Sequence, residues 1–178
     1  TAPASGASIF IVEISGAVGG PMNTDINGAE FILDVDGDSS ITADTDDQID
    51  FKTGGTDRFV LSSANAKFNV GAYNAEATLT DASTISWDVS TSPVAKVTLG
   101  GNRTLGAGTN AQTGQFVSLL IIQDGTGSRT VTFNAAYEFT EDTAPTLTTT
   151  ASKGDLFVFR YNGSKFLEVG RNLNLTLS

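Results

Sequence analysis

The stretch Phe116–Gln123 reads FVSLLIIQ, the strongest strand signal in the 178-residue chain. It is apolar at both odd and even positions, so a strand built from it needs a covering layer on each side, which marks a central strand. It sits inside residues 97–133, VTLGGNRTLGAGTNAQTGQFVSLLIIQDGTGSRTVTF, between Gly-rich turns and two shorter alternating runs, VTL and RTVTF. DGTGS (residues 124–128) predicts a hairpin turn, with residues 129–133 returning beside the central strand. No nucleophile stands next to a base and no ligands cluster in this stretch, so its meaning is architectural.

Working outward, TISWDV (84–89) places Ile85, Trp87 and Val89 on one face of a half-buried strand, and VAKVTL (94–99) follows Pro93. LFVFRY (156–161) is a second run apolar on both faces. Asn162-Gly163 predicts a type I′ hairpin from which KFLEV (165–169) pairs back. Residues 137–139 are aromatic at Tyr137 and Phe139, and PTLTTT (145–150) is β-rich. About eight strands after residue 78 predict an antiparallel sandwich, jelly-roll-like.

Before residue 78 the pattern changes. Residues 27–61 read as short strands with tight turns at Asp36-Gly37 and Gly54-Gly55, and Ile41, Ile49, Phe51, Phe59 and Leu61 are regularly spaced apolar points among acids. Such strands bury little alone; completion by other copies, as in an intertwined trimer, supplies the missing core. Residues 8–14 (SIFIVEI) predict a further strand after a small polar arm, able to pair with a neighbouring subunit. The expected organisation is therefore all-β: residues 1–66 an attachment and trimerisation segment, 67–77 a connection, 78–178 a display domain. The chain starts without an initiator Met, as expected of an excised or processed piece, and residues 1–20 lack the basic start of a signal peptide.

Composition narrows the function classes. The net charge of −10 argues against nucleic acid and anionic membrane as partners. With no Cys there is no disulfide or thiolate site, and with no His the usual general base near neutral pH is missing. No window approaches the ~20 apolar residues of a membrane span. The expectation is no enzymatic activity, no catalytic residue and no cofactor.

Asp34, Asp36 and Asp38 in DVDGD are the candidate metal ligands, with Ca²⁺ the cation their hard oxygens suit and Asp44, Asp46, Asp47 and Asp50 nearby. Gly37 falls too early for an EF-hand, and Thr45 stands where that loop has its bidentate Glu; the plainer reading is a set of solvated turn and edge residues. Glu138, Glu141, Asp142 and Asp155 are carboxylates a glycosidase could use, but no spacing selects a pair. Trp87, Tyr137 and Tyr161 could stack on sugars, though Trp87 is in step with Ile85 and Val89 and reads as core.

Three segments together resemble a recurring module of tailed-bacteriophage virion proteins: residues 78–105 (TLTDASTISWDVSTSPVAKVTLGGNRTL), 123–133 (QDGTGSRTVTF) and 143–170 (TAPTLTTTASKGDLFVFRYNGSKFLEVG). Residues 39–63 (SSITADTDDQIDFKTGGTDRFVLSS) resemble a companion element of the same fibre-type proteins. The resemblance implies a homotrimeric structural component on the virion surface, of tail-fibre, head-fibre or capsid-decoration type, in contact with other capsid or tail proteins. It carries no catalytic motif. The alternative it leaves open is a carbohydrate-binding module that recognises a host-surface glycan.

Overall fold

The fold is that of a computed structural model, which describes residues 30–177. It is all-β: fourteen strands and a single 3-10 turn at Thr140–Asp142 among the described residues. The expected strand at residues 8–14 lies outside them. Two compact units divide between Ala72 and Tyr73.

The first unit is a five-stranded antiparallel meander of β1 (Phe31–Ile32), β2 (Ser40–Thr42), β3 (Gln48–Thr53), β4 (Thr56–Ser62) and β5 (Ala66–Phe68), each strand paired with the next. Gly54 and Gly55, at φ 59° and 65°, make the two-residue turn between β3 and β4. Both central residues at positive φ are the mark of a type I′ hairpin.

The second unit is a two-sheet sandwich. Its large sheet has the order β12-β14-β13-β10-β8-β6, from β12 (Tyr137–Glu138), β14 (Phe166–Thr176), β13 (Lys153–Tyr161), β10 (Phe116–Gln123), β8 (Val94–Leu99) and β6 (Ala77–Thr78). Its small sheet is β11-β9-β7, from β11 (Val131–Phe133), β9 (Arg103–Leu105) and β7 (Thr84–Ile85). Antiparallel pairing joins β10 to β13 and β13 to β14, whereas β6, β8 and β10 run parallel, as do β7, β9 and β11. From β6 to β11 the chain alternates between the two sheets, so it winds like a short solenoid of three coils before the β13–β14 hairpin closes one side.

The core lies between the sheets. Ile85, Trp87 and Val89 face Val97, Leu99, Val117, Leu119 and Ile121, with Phe157, Phe159 and Phe166 filling the hairpin side. Phe133 of the small sheet stands edge-on to Phe157 and Phe139, at ring-centroid distances of 5.5 and 4.9 Å. Such edge-to-face pairs add about 0.5–1.5 kcal/mol each beyond burial.

Four local expectations differ from the structure. Residues 129–133 do not return beside β10; β11 crosses to the other sheet and pairs with β9. The buried Gln123 side chain takes the place of a ladder partner, accepting the N–H of Arg129 at 2.8 Å and donating to its C=O at 2.9 Å. Residues 145–150 form no strand. The β13–β14 connection has four residues, because Asn162 Oδ1 accepts the N–H groups of Ser164 and Lys165 and only Gly163, at φ 99°, is left-handed. Finally, β10 is covered on one face only: Val117, Leu119, Ile121 and Gln123 are buried, while Leu120 and Ile122 are half-buried and Phe116 is exposed.

Candidate functional site

In the first unit, the period of two along β2–β4 puts apolar and polar residues on opposite faces. Antiparallel register then aligns Phe31, Ile41, Phe51, Phe59 and Phe68 in one row across all five strands. Phe51 and Phe59 lie 5.5 Å apart by ring centroid, Phe59 and Phe68 4.8 Å. A second row pairs Ile49 with Leu61. This face is open: Phe31 is 55% exposed, Phe51 39% and Phe68 59%. A contiguous apolar patch of this kind marks a contact surface.

The other face of the same sheet carries the buried positions, and they are polar. Gln48 Nε2 donates to both oxygens of the buried Asp50 at 2.9 Å. Ser40 Oγ donates to Glu30 Oε1, and Lys52 Nζ lies 3.3 Å from Asp44 Oδ2 and 3.8 Å from Glu30 Oε1. Polar groups thus occupy the sheltered side, all those named hydrogen-bonded or ion-paired, while Asp57 Oδ1, opposite Lys52, is buried without a partner among the described residues; the side able to gain most by leaving water faces out.

The turn between β1 and β2 does gather Asp34, Asp36 and Asp38, with one carboxylate oxygen from each within 4.8 Å of the others. Asp44, Asp46, Asp47 and Asp50 do not join them among the described residues. Asp34 is already engaged: its Oδ1 accepts the N–H of Gly37 at 3.1 Å and of Ser39 at 3.2 Å. Hydrogen bonding by Ser39, more than by Gly37, holds its carboxyl below the ordinary value. The cluster thus shapes the turn.

In the second unit, the turns that carry the phage resemblance are pinned by Arg–Asp pairs, one between coils and one within a turn. Arg103 makes a bidentate pair with Asp81, Nε to Oδ1 at 2.7 Å and a terminal guanidinium nitrogen to Oδ2 at 2.6 Å, and Gly100 N–H adds a third bond at 3.1 Å. A Cβ on Gly101 would stand 2.5 Å from the guanidinium. Asp124 accepts the N–H groups of Thr126 and Gly127 and binds Arg129 through two nitrogens, at 3.1 and 2.8 Å. Sequence reading had found these turns but not the partner Asp81, which lies 22 positions before Arg103.

Of the four carboxylates of residues 138–155, Glu138 and Asp142 lie together beside Lys165, while Glu141 and Asp155 stand apart. Asp155 is buried, its two oxygens accepting the N–H groups of Thr148 at 2.7 Å and Asn174 at 2.9 Å. It ties the 145–150 loop to a bulge in β14. Glu138 pairs with Lys165, which keeps its carboxyl below the ordinary value, and the neighbouring Glu138 carboxyl pushes that of Asp142 up. Glu141 sits at the surface with φ 59°. Of the aromatics, Trp87 donates to Ser92 O at 2.7 Å and Tyr137 to Gly106 O at 3.0 Å, both buried in the core, while Tyr161 is half-buried against Phe166. Tyr73, 89% exposed, was not singled out in the sequence.

Neither the curated proteins nor the solved structures contain a match to this chain. Over residues 78–165, from β6 to the turn before β14, the chain matches a family model described as “Putative phage tail fibre C-terminal domain”, and this match supports a phage tail fibre-type protein.

Proposed function

We propose that this chain is a non-enzymatic structural part of a bacteriophage tail fibre, a homotrimer held by its N-terminal segment and displaying the second unit on the virion surface. The observation that carries this reading is the open apolar row Phe31–Ile41–Phe51–Phe59–Phe68. Three such sheets facing one another bury these rows about a common axis. The acidic surface of a chain with net charge −10 then points outward, where it keeps fibres soluble and apart. Contacts with other tail proteins follow from a fibre's attachment. Sedimentation equilibrium of the chain tests the reading: three times 18.5 kDa is expected, and a folded monomer at micromolar concentration refutes it. Antibody labelling of intact virions separates a tail position, expected here, from a head-fibre or capsid-decoration position.

A second reading, recognition of a host-surface glycan, is favoured by one observation, the exposure of Tyr73 in a segment without secondary structure. A glycan array with no binding argues against it.

A further inference from the structure

A second surface of the chain is left half-covered, the outer face of the large sheet. Val94, Ser118 and Val158 form one row across β8, β10 and β13, and Leu120 stands opposite Leu156 in the next. Leu177 reaches over Gly154 toward Leu120; a Cβ on Gly154 would lie 2.9 Å from one and 3.1 Å from the other. Phe116 rises beside this face, 58% exposed, and with Pro93, Val94, Ser118 and Val158 lines an open hollow of about 230 Å³. Among the described residues, two neighbouring β-strands that are apolar on both faces, FVSLLIIQ and LFVFRY, are thus fully packed on one side only, with Leu177 over part of the other.

We infer that this outer face of the large sheet is a contact between copies of this chain, so that the second units pack on one another as well as the first. The inference rests on the trimer reading above. Chains joined through their first units hold their second units together through a short connection, at an effective concentration of about millimolar for a short flexible link. An identical patch is therefore the first apolar surface each outer face meets. Charge agrees. The row Val94–Ser118–Val158 carries no charge, and the row Lys96–Leu120–Leu156 ends in a cation already neutralised by Glu76 at 2.6 Å. Arg160, opposite Phe116, is the one cation at that end. In a chain of net charge −10, this is a face on which copies approach without carboxylate repulsion.

The absence of Cys in the sequence makes the test clean. Full-length Ser118→Cys, at the middle of the face, is treated with a short bismaleimide and run on a denaturing gel. Thr132→Cys, exposed on the small sheet, is the control. The expected result is a covalent dimer from Ser118→Cys and none from Thr132→Cys, with the cross-link lost in Ser118→Cys/Phe116→Asp while the mass in solution stays that of three chains. Phe116 is exposed enough for Asp to leave folding intact, and the buried Trp87 checks this by fluorescence. No cross-link from a chain that sediments as a trimer overturns this inference and leaves the trimer reading standing. That is also the outcome if residues 1–29 cover the face. Equal cross-linking of the Thr132→Cys control overturns it too. A monomer overturns the trimer reading, and this inference with it.

Discussion

Replacing Phe51 by Asp places a charge at the centre of the apolar row. Phe51 is 39% exposed in the single chain, so of its ~200 Å² about 80 Å² remains to be buried by a neighbour. At about 25 cal/mol per Å² this is about 2 kcal/mol per chain and about 6 kcal/mol for three. Desolvation and mutual repulsion of three carboxylates add to that loss. Six kcal/mol alone is roughly four decades in the trimer association constant. Because the midpoint concentration of a trimer scales as the inverse square root of that constant, the shift is about a hundredfold: a parent half-assembled at about 1 nM should give a variant half-assembled at about 100 nM or above. The assay is native mass spectrometry over a dilution series, with Trp87 fluorescence, from the one Trp of the chain, reporting that the second unit remains folded. Within the sheet the substitution also removes the Phe51–Phe59 contact at 5.5 Å, worth about 1 kcal/mol, so Phe51→Ala is run beside it to separate lost packing from added charge. A Phe51→Asp chain that keeps the parent's mass through the same dilutions refutes the reasoning, because the row would then not be the surface that joins copies.

Other substitutions test the latches of the second unit. Asp155→Ala deletes the acceptor of two backbone N–H groups in a buried place and should cost about 2–5 kcal/mol, read as a lower thermal midpoint. Gly127→Ala should also lower it, by at least ~1–2 kcal/mol: Gly127 has φ 73°, and a Cβ there would lie 2.5 Å from Thr149 O. Acid should weaken the fold through Asp81. Arg103 holds the Asp81 carboxyl below its ordinary 3.8, so its contribution is fully present above about pH 4 and is lost as the pH falls through the lowered value. Asp81→Asn should reduce stability in urea at pH 7 and make the loss between pH 4 and pH 2 shallower than in the parent.

Much of this architecture was legible because alternation reports which face a residue takes. Ile85, Trp87 and Val89 are buried together, and Ile41, Phe51 and Phe59 share a face, as their spacing predicts. Alternation does not report which strand lies beside which. The run 129–133 therefore looked like the return arm of a hairpin, although Gln123 supplies Arg129's hydrogen bonds from a side chain and frees β11 to cross sheets. Asp155 looked like any surface acid, since its partners come from residues 7 and 19 positions away. The double-sided runs at 116–123 and 156–161 read as strands covered on both sides, but among the described residues only the inner face is buried. On the first sheet, the apolar period was visible, yet only register turned separate points into a continuous row.

The winding of the second unit bears on how it is made. The central strand β10 is flanked by β8, whose partners lie 24 residues earlier, and by β13, whose partners lie 32 to 44 residues later, and its neighbours in the core come from both sheets. Few of its pairings are local, and non-local pairing slows folding. A nascent chain can wind its first coils, but β10 keeps an unsatisfied edge until residue 161 has been made. The same interlocking resists the reverse step, because freeing β10 means breaking ladders on both sides at once. Such a unit is slow to assemble and slow to come apart. Its persistence is then a matter of unfolding rate as much as of equilibrium stability.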